Sequence, residues 1–168
     1  MTDYYLDQQN QKTMLRRSEA VLVKLEKAKL KHKELQNAID IFIGTGSSGI
    51  SVASILFARS EQPASWGFIR KDTDTKHHGD KYELPPIVYK RDPKTDKRID
   101  VNVWLADDFI CTGSTMQRLL DGVTDANEGR PCGIITLGGM NRWDITDLIN
   151  RPVWKMSKPI LIYGKRRR

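Results

Sequence analysis

The sequence predicts an α/β fold in which helices flank a twisted, mostly parallel sheet, with a long helix leading into it. Short apolar runs of strand length alternate with stretches of strong helix formers, the pattern of strand–helix–strand units. Two of those runs end in small, polar turns that open into helical stretches. Length and composition agree: 168 residues with 39% hydrophobic and 8% aromatic side chains suffice to bury roughly 68–70% of the unfolded surface without a disulfide or metal staple. One domain is expected over 1–168, with an N-terminal tail and helix (1–39), a core (40–143) and a C-terminal segment ending in a basic tail (144–168).

Residues 1–11 are polar apart from Tyr4, Tyr5 and Leu6, and are expected to fray. From 12 to about 38 there is no Gly or Pro, and Leu15, Leu22, Leu25, Ala28, Leu35 and Ile39 recur at roughly helical spacing, so a long amphipathic helix is predicted. The apolar run 41–43 reads as a strand, Gly44 to Gly49 as a tight turn, and 50–59 as a helix that stops before Pro63. A second strand is expected over 65–69. Residues 70–83 are rich in charge and His and lack apolar periodicity, which predicts a mobile loop. Strands are expected at 87–89 and 101–106, joined by an exposed turn containing Asp92 and Pro93. A helix over 116–122 and strands at 133–137 and 159–163 complete the alternation.

The net charge of +7 is uneven. Residues 11–37 carry eight basic and three acidic side chains, residues 155–168 carry six basic and none acidic, and the remainder is slightly acidic. Such basic runs suit a nucleic-acid footprint, because cationic side chains displace counterions from phosphates; a solvated helix face and a solubilising tail is the favoured reading, since no aromatic residues interleave with these charges to form a stacking platform. No apolar run approaches a membrane span, and the first 30 residues are polar where a secretory signal would be apolar, so a cytoplasmic location without a membrane partner is expected. The two cysteines, Cys111 and Cys132, form neither a CxxC pair nor a Cys/His ladder and are expected to be free thiols.

Chemistry concentrates in three segments. The first runs from Val103 to Met116: an apolar strand delivers Asp107 and Asp108, and Thr112, Gly113, Ser114 and Thr115 then form a hydroxyl-rich turn into a helix. Ligands of open α/β sheets sit at the carboxyl ends of strands, where this acid pair would emerge. Backbone N–H groups at a helix N-terminus cradle phosphate. Carboxylates beside such a cradle suit sugar hydroxyls or Mg²⁺, so the combination suggests a ribose 5-phosphate site. The second is Gly44-Thr45-Gly46-Ser47-Ser48-Gly49, which fits the spacing of a dinucleotide-binding fingerprint and also that of a merely steric turn. The third is the cationic stretch that begins at Arg70 and Lys71 and includes Lys76, His77 and His78. Adjacent His77 and His78 lack a spaced third metal ligand, and Cys111 has no activating partner placed by sequence.

The Val103 to Met116 segment closely resembles the phosphoribosyl diphosphate (PRPP) signature of type I phosphoribosyltransferases: a hydrophobic strand, two acids, three variable residues and a T-G-x-T turn. The resemblance implies that fold, with Asp107 and Asp108 on the ribose hydroxyls and on Mg²⁺ as cofactor, and Thr112, Gly113, Ser114 and Thr115 on the 5-phosphate. The Gly44 to Gly49 loop lies where the family binds pyrophosphate, which implies contacts from Thr45, Gly46 and Ser47. Arg70, Lys71, Lys76 and His78 with Gly79 resemble the R-K-x-x-K-x-H-G catalytic loop of orotate phosphoribosyltransferases, with two extra residues between Lys71 and Lys76. A cationic lid suits a departing pyrophosphate and excludes water. Arg70 and Lys76 would join the acid pair as catalytic residues, and Lys71 and His78 would hold PRPP. Arg142, after the penultimate core strand, falls roughly where orotate enzymes place an arginine on the base. The resemblance thus implies Mg²⁺-dependent transfer of ribose 5-phosphate from PRPP to a nucleobase, favouring an orotate-like pyrimidine, with pyrophosphate as product and a homodimer as assembly. The alternative is a regulator of the same fold that senses PRPP or a nucleotide and binds RNA or DNA through its basic helix and tail.

Overall fold

The computed structural model describes residues 2–70, 82–83, 94, 100–110, 113–125, 130–140 and 145–164, with backbone alone for 2–10, 82, 83 and 125. In chain order the elements are helix α1 (Thr2–Lys31), a 3₁₀ turn (Lys33–Leu35), β1 (Ile39–Thr45), α2 (Gly46–Arg59), β2 (Ala64–Ile69), β3 (Tyr82–Glu83), β4 (Val101–Asp107), α3 (Ser114–Asp125), β5 (Pro131–Thr136), α4 (Thr146–Ile149) and β6 (Ile160–Tyr163). The sheet order is β3-β2-β1-β4-β5-β6. Every pair is parallel except the two-residue β3, which runs antiparallel to β2 at one edge.

Both faces of the central strands are buried, as a parallel sheet covered by crossover helices requires. Ile41 and Ile43 of β1 and Val103 and Leu105 of β4 face a core completed by Met116, Leu119, Leu120 and Val123 of α3, with Leu148 and Trp154. The alternate residues Phe42, Trp104 and Ala106 face a second core with Val52, Ala53 and Leu56 of α2 and Val21 and Leu25 of α1. Helices α1 and α2 therefore cover one face, and α3 and α4 the other.

At the amino edge of the sheet a polar network ties α1 to the strands. Lys29 Nζ lies 2.7 Å from Asp40 Oδ2, and Asp40 Oδ1 accepts hydrogen bonds from Trp104 Nε1 at 2.9 Å and Asn102 Nδ2 at 3.1 Å. Asn102 Nδ2 also donates to the Leu35 carbonyl, and its Oδ1 accepts from Lys155 Nζ. Asp40 is thus a buried carboxyl with both oxygens engaged, one by an ion pair, the condition under which such a group is tolerated.

Several expectations are corrected. The helical backbone begins at Thr2 rather than after a frayed 1–11 segment, and α1 stops at Lys31; Asn37, at φ 62°, then turns the chain into β1. The stripe of α1 turned inward is Met14, Ser18, Val21, Leu22, Leu25 and Ala28, which includes the expected Leu22, Leu25 and Ala28, whereas Leu15 is 39% exposed. Ser18 fits this stripe because its hydroxyl donates to the Leu15 carbonyl. The turn expected at Gly44 to Gly49 is divided between the end of β1 and the first turn of α2. Helix α3 is longer than expected, and β3 and α4 were not anticipated. The strand expected at 87–89 lies outside the described residues. Cys132 is a free, buried thiol, pushed up to about 12 by desolvation. Among the described residues, no helix is long and apolar enough to cross a membrane.

Candidate active site

Adjacent strands β1 and β4 are the point from which the sheet is wound in opposite directions, since α2 carries the chain from β1 outward to β2 and α3 carries it from β4 outward to β5. Such a topological switch point leaves a crevice at the carboxyl ends of the two strands. A cleft of about 240 Å³ opens there, lined by Ser48, Asp107, Asp108, Phe109, Ile110, Gly113, Thr115 and Met116.

Asp107 is the last residue of β4 and is 5% exposed. Its Oδ1 accepts the Asp108 N–H at 2.9 Å and the Ser48 hydroxyl at 3.2 Å, across from the first turn of α2. Burial pushes the Asp107 carboxyl up to about 6 from 3.8; the Asp108 N–H opposes the rise, the Asp108 carboxylate adds to it, and the Ser48 hydroxyl lowers it. Asp108 is half-buried, and its Oδ1 accepts the Phe109 N–H at 2.8 Å. The chain beyond β4 stays paired with the continuation of β5: Gly138 N–H donates to the Asp108 carbonyl at 2.6 Å and Ile110 N–H to the Gly139 carbonyl at 3.2 Å. The acid pair is therefore held from both sides along its backbone.

Two helix N-termini flank the acids. On one side β1 runs straight into α2, and Gly46 takes φ 65° at the junction; on the other, Gly113 takes φ 77° immediately before α3. These conformations admit glycine and disfavour residues with a Cβ. The α2 turn is packed so closely on β1 that a Cβ at Gly44 would lie 2.1 Å from the Gly49 carbonyl oxygen. The N–H groups of two helix starts, which lack partners within their own helices, stand beside two carboxylates and suit an anionic group together with hydroxyls or a cation.

The residues expected from sequence distribute as follows. Asp107, Asp108, Gly113 and Thr115 line the cleft, and Ser114 is the exposed first residue of α3. Gly46 and Ser47 stand in the first turn of α2. The Thr45 hydroxyl is buried and donates to the Ile69 carbonyl at 2.6 Å, so it links β1 to β2 and only the main chain of Thr45 is available to a ligand. Arg70 follows the end of β2, with its guanidinium 5.6 Å from the centre of the Phe68 ring. Lys71, Lys76, His78, Cys111, Thr112 and Arg142 lie outside the described residues. Ser48, Phe109, Ile110 and Met116 join the site without having been singled out. For Ser48 a signal existed in its place within the glycine turn, and for Phe109 in its position directly after the acids, where an aromatic residue is 49% exposed.

Two adjacent carboxylates are hard oxygen donors of the kind Mg²⁺ takes, and that ion is ordinarily bound by one or two carboxylates plus substrate oxygens and water. The donor set fits that mode. Among the described residues there is no cluster of three or more His, Cys, Asp or Glu side chains that would hold a metal by itself.

No family model matches the sequence, and no curated protein matches it. Solved structures do match its fold. The orotate phosphoribosyltransferase of Mycobacterium tuberculosis, solved with PRPP, superposes with a TM-score of 0.57 at 13% identity, over 88% of this chain and 72% of that one. A phosphoribosyltransferase from Corynebacterium diphtheriae gives 0.55 at 15% identity, over 86% and 72%. The orotate phosphoribosyltransferase of Aeropyrum pernix gives 0.53 at 16% identity, over 88% and 68%. With its strand order, its switch-point cleft and these superpositions, the chain has the type I phosphoribosyltransferase fold.

Proposed function

We propose that the protein transfers the ribose 5-phosphate of PRPP to a nucleobase with release of pyrophosphate, an orotate-like pyrimidine being the favoured acceptor. The observation that carries this reading is the convergence, at one switch-point cleft, of the Asp107–Asp108 pair with the N-termini of α2 and α3. The α3 turn, with Gly113, Ser114, Thr115 and the preceding Thr112, receives the 5-phosphate. Asp107 and Asp108 hold the ribose hydroxyls and favour the positive charge that develops on the sugar as the bond at C1 breaks. The main chain of Thr45, Gly46 and Ser47 receives the diphosphate, and Arg70, Lys71, Lys76 and His78 neutralise it on departure and exclude water.

The step balances without a redox partner. A base nitrogen supplies the electron pair of the new bond to C1, and the pair of the broken C1–oxygen bond leaves with pyrophosphate. If the base arrives as an anion, no proton need move. Bound Mg²⁺ would supply charge neutralisation on the diphosphate, and Asp107 and Asp108 are the residues that would help to hold it. Phe109 presents an apolar ring at the mouth of the cleft against which a planar base can stack, and Arg142 is the candidate for a base carboxylate.

Pyrophosphate release from Mg²⁺-PRPP is the test, against orotate, uracil, adenine, guanine, hypoxanthine and xanthine with a control lacking any base. Release with one base is expected; release in the control alone would replace the transferase with a PRPP hydrolase. The Asp107→Asn/Asp108→Asn double variant is expected to lose turnover while its Tm stays near that of the parent. Undiminished turnover would remove the acid pair from the mechanism.

A further inference from the structure

Along β2 and the residue after it, the side chains of Trp66, Phe68 and Arg70 fall on one face, since alternate residues of a strand point the same way. That face is the one covered by α2, because Trp66 packs against the core that holds Val52, Ala53 and Leu56. The Trp66 and Phe68 rings stack with centres 6.3 Å apart and planes at 29°. The Arg70 guanidinium carbon lies 5.6 Å from the centre of the Phe68 ring. Three half-buried side chains thus form one file, fixed in the α2-side core at Trp66 and ending in a cation.

The file ends where α2 begins. Ile69 is the register partner of Thr45, the residue before Gly46 at the start of α2, and the buried Thr45 hydroxyl donates to the Ile69 carbonyl at 2.6 Å. That carbonyl belongs to the peptide bond leading into Arg70, so the main chain of Arg70 is pinned level with the α2 N-terminus. A guanidinium and a helix start are both electropositive, and holding them at the same end of adjacent strands suits a multiply charged anion. A free arginine side chain loses rotamer freedom when it closes on such an anion. A ring against the guanidinium face removes part of that freedom beforehand and leaves the in-plane N–H groups to donate.

We propose that Phe68 is a positioning residue: its ring, steadied by Trp66, holds the Arg70 guanidinium at the α2 end of the site, ready for the diphosphate. The role rests on the transferase reading, in which Arg70 neutralises that group on departure, and it accounts for an aromatic residue at 68. A leucine would fill much of the same space on β2 but offers no π face to a cation. Charge set in place before the reaction needs no reorganisation as the leaving group departs.

Calorimetric titration of the full chain with pyrophosphate in the presence of Mg²⁺ tests it, with kcat/KM for PRPP expected to fall in parallel. Arg70→Gln is expected to weaken pyrophosphate binding roughly 10- to 100-fold, the worth of a hydrogen bond to a charged group. Phe68→Leu is expected to weaken it about 2- to 5-fold, the scale of a cation–π contact at a partly exposed site. Phe68→Tyr keeps the ring and is expected to bind as the parent does. The Phe68→Leu/Arg70→Gln double variant should bind no more weakly than Arg70→Gln alone, because the ring acts only through the guanidinium. Losses that multiply in the double variant would assign Phe68 to the fold rather than to Arg70, and parental affinity in Phe68→Leu would remove it from the site. Either result overturns the proposal and leaves the transferase reading standing. Parental affinity in Arg70→Gln would strike Arg70 from that reading and Phe68 with it, whereas a parent chain that neither binds pyrophosphate nor turns over PRPP would defeat the reading as a whole, and the role of Phe68 with it.

Discussion

Asp107 combines the burial of a core residue with the position of a ligand-binding one, and its chemistry follows from that conflict. Its folded-state pKa, about 6, lies above the unfolded value of 3.8, and loss of solvent is the main cause. For a carboxyl shifted upward, the folded state binds the extra proton; the group therefore favours folding fully below the unfolded pKa, and that contribution is lost as pH rises through about 6. Near neutral pH the ionised carboxylate weakens the fold, which is why removing its charge in Asp107→Asn is expected to leave Tm unchanged or raised. On the proposed function, ribose and cation binding need the ionised form, so kcat/KM for PRPP is expected to show an acid limb near pH 6, the free-protein value. Ser48 sharpens the prediction. Its hydroxyl lowers the Asp107 pKa, so Ser48→Ala should move that acid limb to higher pH while activity at pH 8 falls less than at pH 6. A limb that stays in place would assign it to a different group.

At the scale of elements, the joint between β1 and α2 is the most constrained part of the cleft. A Cβ at Gly44 would meet the Gly49 carbonyl oxygen at 2.1 Å and the Ile50 nitrogen at 2.8 Å, backbone atoms that cannot rotate away. Gly44→Ala is therefore expected to push α2 outward, carrying Ser48 away from Asp107, and to lower both Tm and PRPP affinity; a variant with parental Tm would show that the joint has slack. The strand ends and glycine turns of this site were legible in sequence because they are local: an apolar run, two acids and a turn need no knowledge of what packs where. The inward stripe of α1 was legible only in part: Leu22, Leu25 and Ala28 do turn inward, but Leu15 fits the same helical period and is exposed, and the inward places of Met14, Ser18 and Val21 are decided by α2 and β6, which lie far along the chain. A serine whose hydroxyl bonds within its own helix is invisible to a hydrophobic pattern. The place of Phe109 is hidden from the sequence for a related reason, since its exposure at the cleft depends on the pairing of 107–110 with 137–140.

Across the whole molecule, the two ends of the sheet are built from opposite chemistry. The carboxyl end carries an acid pair that lines an open cleft, whereas the amino end carries charges that satisfy each other. Lys29, Asp40, Asn102 and Trp104 link α1, β1 and β4 through contacts of 2.7 to 3.1 Å, and Asp40's side chain is only 1% exposed. Breaking a buried pair by removing one member costs about 3–5 kcal/mol, because the remaining charge is left without its counterion. Lys29→Met should therefore destabilise the protein by roughly that amount in urea unfolding. Lys29→Met combined with Asp40→Asn should be milder than Lys29→Met alone, since Asn at 40 removes the stranded charge and keeps an oxygen for Trp104 and Asn102. The carboxyl-end site lies across the sheet from this network and shares no side chain with it. Below the unfolding range, both variants are accordingly expected to retain the parental acid limb near pH 6, a separation that pH profiles measured on the folded variants would check directly. If Lys29→Met moved that limb while the protein remained folded, the amino-end network would be coupled to Asp107 through β4, and the division of the sheet into a ligand end and a self-satisfied end would fail.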